Sequence, residues 1–71
     1  MSDASLREQF IETLVAHVER DRYPSTTMMD QIERSMTQQQ RDRYITILLD
    51  KLEADDFPSP DLASRIAKLV Q

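Results

Sequence analysis

Cysteine, glycine and tryptophan are all missing from this chain of 71 residues. Without cysteine there is no disulfide framework, no thiolate–metal site and no thiol nucleophile. Without glycine, the positive-φ positions of phosphate-cradling loops and tight β-hairpins lack their usual occupant. That leaves helices joined by Pro, Ser and Asp turns. Aromatics are scarce, at two Tyr and two Phe, and histidine occurs once. No apolar run approaches the roughly 18 residues of a membrane span, and no block of like charge forms a basic or acidic tail. A net charge of −4 sets the chain against a phosphate backbone, whose binding draws on clustered Lys and Arg. These absences predict an all-α protein of the cytoplasm, one domain over residues 1–71, with no membrane association and no enzymatic equipment.

What the chain does contain is a copy of itself. A shift of 34 residues lays Arg7, Phe10, Ile11, Leu14, Val15, Val18 and Glu19 on Arg41, Tyr44, Ile45, Leu48, Leu49, Leu52 and Glu53. The register continues through Asp21, Tyr23, Pro24 and Ser25 onto Asp55, Phe57, Pro58 and Ser59. Met28, Ile32 and Met36 then fall on Leu62, Ile66 and Val70. A helix–turn–helix unit is thus written twice, over residues 3–36 and 37–70. The expected architecture is a four-helix bundle of two tandem helical hairpins related by a pseudo-twofold. A chain this small gains only a few kcal/mol from its core, so self-association as a homodimer is a second way to bury the apolar faces.

Local signals place the helices. Ser5-Leu6-Arg7-Glu8 is a capping-box pattern, and apolar residues at 6, 10, 11, 14, 15 and 18 cover about half of the helix that follows. Pro24 ends that helix by forcing Tyr23 out of helical geometry. Ser25 caps the second helix, whose apolar stripe is Met28, Met29, Ile32 and Met36. Thr37-Gln38-Gln39-Gln40 is another capping box and opens the third helix, with Tyr44, Ile45, Leu48, Leu49 and Leu52 inward. Ser59-Pro60 starts the fourth, which runs to Val70 with Leu62, Ala63, Ile66, Leu69 and Val70 inward. Both hinges read Asp-x-aromatic-Pro-Ser, so Tyr23 and Phe57 are expected as lids over the core.

Motifs that would carry chemistry fail on their residues. A calcium loop from Asp55 needs Gly at its sixth position and Glu at its twelfth; Pro60 and Ile66 stand there. The same count from Asp21 meets Thr26 and Ile32. Glu53, Asp55, Asp56 and Asp61 are then a solvated acidic turn. The 34-residue period equals that of a tetratricopeptide repeat, but the Trp and Gly of that pattern are absent. A DNA-reading helix–turn–helix would use Arg65 and Lys68, which are expected on a solvated face with Asp61 paired to Arg65. His17 corresponds to Lys51 and reads as a surface residue. No catalytic, cofactor-binding or metal-binding residues are assigned.

Function is therefore sought where the copies differ. Ile47 replaces Thr13 and Leu69 replaces Ser35, which widens the apolar faces of the second unit. Met29 stands opposite Ala63 and is the methionine expected to reach the surface. Tyr44, Ile47, Leu69 and Met29 form the expected partner-binding patch. The function expected is a small protein–protein interaction module, a regulator, adaptor or assembly subunit that binds a protein partner or itself without cofactor. The alternative is a dimeric DNA-associated regulator.

Overall fold

The computed structural model describes residues 3–54 and 59–71. Four helices run in the order α1 (Asp3–Arg20), α2 (Thr26–Ser35), α3 (Gln38–Ala54) and α4 (Pro60–Leu69). Every regular element among the described residues is helical, as the missing glycine and the apolar spacing predict. The second hinge, Asp55-Asp56-Phe57-Pro58, lies outside the described residues, and with it the expected Phe57 lid and two members of the acidic turn. The other two, Glu53 and Asp61, are exposed, and Asp61 pairs with Arg65.

Three of the four expected helix starts are built as the sequence implies. The Ser25 hydroxyl accepts the Met28 N–H and the Ser59 hydroxyl accepts the Leu62 N–H, each at 3.3 Å. Thr37 and Gln40 form a reciprocal capping box. The Gln40 N–H donates to the Thr37 hydroxyl at 3.1 Å, and the Thr37 N–H donates to the Gln40 side-chain carbonyl at 3.0 Å. The exception is α1, which begins at Asp3 rather than after a Ser5 cap. Neither Asp3 nor Ala4 is a helix breaker, so the helix extends back past Ser5. Ser5 therefore sits inside the first turn.

α1 packs on α2, α3 on α4, and α1 on α3. The core draws Ile11, Leu14, Val15 and Val18 from α1, and Met29 and Ile32 from α2. Tyr44, Ile47 and Leu48 come from α3, and Leu62 and Ile66 from α4. Met28, Met36, Leu52 and Leu69 pack around its margin.

Burial follows the 34-residue register only in part. Leu14 and Leu48 are both buried, as are Ile32 and Ile66. Elsewhere corresponding residues part company. Val15 is buried where Leu49 is exposed, and Met29 where Ala63 is exposed; Tyr44 and Ile47 are buried where Phe10 and Thr13 are exposed. At about 100° per residue, Val15 and Ile47 fall on opposite flanks of the shared Leu14/Leu48 line. A dyad would bring the same flank of each copy together. The two hairpins bury opposite flanks instead, a pattern that does not confirm the expected pseudo-twofold.

Two further expectations are corrected here. Tyr23 is 79% exposed and is no lid; its ring lies under the Arg22 guanidinium, 5.5 Å from the centroid. Ala63 and Val70 face water because α4 turns its other flank, with Arg65, toward the core.

The contrast generates a stability prediction. Leu48→Ala empties a core position and is expected to cost about 2–5 kcal/mol. Tyr23→Ala removes a ring already in water and is expected to cost less than about 0.5 kcal/mol. Urea melts followed by helical circular dichroism measure both, and equal losses would contradict the placement of Tyr23.

Candidate protein-interaction surfaces

The face where the hairpins meet explains which surfaces remain outside. Its centre is the Arg65 guanidinium, whose side chain is only 10% exposed. It donates to Asp61 on its own helix at 2.9 Å, and to Asp30 and Glu33 of α2 at 2.9 Å each. The Tyr44 hydroxyl of α3 donates to the same Glu33 carboxylate at 2.6 Å. Burial works against the Arg65 charge, but its three carboxylate partners more than offset this and raise its pKa further above its ordinary value. Burial also pushes the Tyr44 phenol well above its usual range, and the Glu33 hydrogen bond adds to the shift. Both groups are locked as donors at neutral pH.

A second line of polar contacts runs along α1 and α3. The Gln40 amide that caps α3 also donates to the Glu8 carbonyl at 3.1 Å and to the Glu12 carboxylate at 3.3 Å. Arg43 reaches Glu12 at 3.0 Å and Glu19 at 3.3 Å. The Lys51 ammonium donates to the Glu19 and Asp21 carbonyls at the end of α1, where a helix leaves carbonyls without intrahelical partners. Arg41 donates to the Leu69 carbonyl and ties α3 to the end of α4.

The expected patch does not form on this surface. Tyr44, Ile47 and Met29 are core residues, and Leu69 is half-buried against the core. The extra apolar width that Ile47 and Leu69 give the second unit is spent on packing inside the molecule. The expectation that Met29 reaches the surface is likewise corrected, since Met29 fills the flank of α2 that faces the second hairpin. Arg65, expected on a solvated face, is the most heavily bonded cation of the network; its pairing with Asp61 is as expected.

The apolar residues that do reach water were expected inside. Leu6 and Phe10 lie one turn apart on α1 at 49% and 51% exposure, Leu49 on α3 at 40%, and Val70 after α4 at 60%. Each belongs to a flank unused at the meeting of the hairpins. A cleft lined by Phe10, Ile11, Gln31 and Arg34 opens beside the first pair. Another, lined by Ile45, Thr46, Leu69 and Val70, opens on the far side of the second hairpin.

Searches of protein-family models, curated proteins and solved structures find no match to this chain. Among the described residues no helix is long and apolar enough to cross a membrane.

The raised phenol supplies a pH test. Because folding holds the Tyr44 proton more tightly than the unfolded chain does, its contribution is intact below the unfolded value of about 10 and is lost as pH climbs above it. In a Tyr23→Phe variant Tyr44 is the only tyrosine, so ultraviolet absorbance reads it alone. Phenolate is expected only together with loss of helical signal; phenolate forming ahead of unfolding would contradict the buried pair.

Proposed function

We propose that this chain is a small non-enzymatic interaction module, a regulator, adaptor or assembly subunit, built as one domain from two tandem helical hairpins. The hairpins are read as copies of one ancestral unit stacked flank to flank, the α1/α2 flank of one kind against the α3/α4 flank of the other. The module acts through the outer flanks, by burial of Leu6, Phe10, Leu49 and Val70 against protein.

The observation that carries this reading is the Leu6–Phe10 pair. Two large apolar side chains one turn apart stand half in water on a chain short of apolar residues to fill its own core. Scattered single exposures need no explanation, whereas adjoining ones on a helix flank are what a contact surface would offer a partner. Full burial of a Phe or Leu side chain contributes about 1.5–3 kcal/mol, so a few such residues can carry a specific contact.

The alternative, a dimeric DNA-associated regulator, draws less support. It would rely on Arg65 as a reading residue, and that guanidinium is enclosed by Asp30, Glu33 and Asp61. Arg43 and Lys51 are likewise engaged with α1.

A photoreactive residue at position 10, with the exposed Gln38 as control position, tests the reading in cells that make the protein. The expected result is a discrete protein adduct from position 10 that is absent from position 38. Equal labelling from both positions, or a salt-sensitive DNA gel shift with no protein adduct, would overturn it.

A further inference from the structure

We infer that the partner of the outer flanks is a second copy of this chain, docked head to tail, the Leu6–Phe10 flank of one molecule on the Leu49–Val70 flank of the next. The inference rests on the interaction-module reading and names its occupant. The 34-residue register provides the argument, because it maps each face of the internal joint onto an outer face. Tyr44 and Arg65, on the second hairpin's joint face, correspond to Phe10 and Gln31 on the first hairpin's outer face. Asp30 and Glu33, on the first hairpin's joint face, correspond to Ser64 and Ala67 on the second hairpin's outer face.

The substitutions on the two outer faces match one another. Where the joint pairs the Tyr44 hydroxyl with Glu33, the outer positions are Phe10 and Ala67, so donor and acceptor have vanished together. Where Arg65 meets Asp30, the outer positions are Gln31 and Ser64, and both charges have gone. Where Arg43 meets Glu12, the outer positions are Gln9 and Thr46; where it meets Glu19, they are Gln9 and Glu53, so at the exposed rim one acid is kept. Loss of opposite charges at mating positions suits two faces that meet each other, since a charge left at the centre of one side alone would be buried without a partner.

The apolar residues match in the same way. Leu49 takes the place of Val15 in the joint, and Phe10 the place of Tyr44, so the ring of one molecule lies against the position that buries its counterpart inside the other. Arrays of stacked helical units end in polar faces when they stop; these ends expose Leu6 and Phe10 on one side and Leu49 and Val70 on the other. A contact between unlike faces leaves one face of each kind free, so association continues past two chains unless it closes into a ring.

Sedimentation of the full chain from about 10 μM to about 1 mM, the range of weak specific association, tests this. Wild type is expected to grow beyond a dimer with concentration. Phe10→Glu and Leu49→Glu, both at partly exposed positions, are expected to stay helical and monomeric when alone. Mixed in equal amounts they are expected to form a species of two chains and no larger, because each supplies the face the other lacks. Copying the joint outward with Phe10→Tyr, Gln31→Arg, Ser64→Asp and Ala67→Glu in one chain is expected to tighten association at least about tenfold. A monomeric wild type, association by either single variant, or a mixture that stays monomeric overturns the inference. A monomeric wild type that still yields a position-10 adduct with a different protein would sink the head-to-tail partner and leave the interaction-module reading standing.

Discussion

The buried guanidinium of Arg65 is the constraint that decides how the two hairpins face each other. Its burial is tolerable only where carboxylates surround it, since an unpaired ion in the interior costs several kcal/mol. Asp61 comes with its own helix, but Asp30 and Glu33 must be brought by α2. Glu33, with 23% of its side chain exposed, needs the Tyr44 hydroxyl as a further donor. The observed arrangement satisfies all of these groups: the Arg65 flank of α4 and the Tyr44 flank of α3 lie against the acidic flank of α2. Apolar packing on α1 favours the same choice, since Ile11, Val15 and Val18 share the buried flank and only Leu6 and Phe10 the other.

The contacts along α1 and α3 reinforce that choice at smaller cost and smaller gain. Arg43 and its two glutamates are each about half exposed, and ion pairs so placed contribute at most about 1 kcal/mol. Gln40 is more consequential, because the same side chain closes the capping box of α3 and bridges to α1. Lys51 occupies the carbonyl end of α1 in a similar double role. The apolar core supplies most of the favourable energy, while these polar groups select register and flank. The flanks not selected keep their apolar residues in water, and from that arrangement the functional reading follows.

Much of this was legible in the sequence. The four helices, the Ser25, Thr37 and Ser59 caps, the Pro24 stop, and the burial of Leu14, Leu48, Ile32 and Ile66 all follow from local chemistry and apolar spacing. The choice of flank did not. Periodicity measures how wide an apolar face is, but it cannot tell which part of that width meets a neighbour. Comparison of the two halves made Ile47 and Leu69, with Tyr44, a surplus of apolar width and Met29 a surface residue, because it took the width common to both halves as the buried part. Two of the differences read as surplus, Ile47 for Thr13 and Leu69 for Ser35, widen the flank that turns inward. The decisive clue was a matched set of charges, Arg65 with Asp30 and Glu33, which lie about 32–35 residues apart. Helical periodicity read within one copy has no term for a pair at that distance.

Nuclear Overhauser contacts in dilute solution test the flank assignment most directly, because Tyr44 and Phe10 correspond in the 34-residue register of the sequence and occupy opposite environments in the fold. Strong contacts are expected from the Tyr44 ring to the Glu33 side chain on α2. Below the concentration of self-association, the Phe10 ring is expected to show none to Ala67 on α4. Equal contacts from both rings within one molecule would mean that the hairpins meet through the same flank about a dyad, and the account built on Arg65 would be wrong.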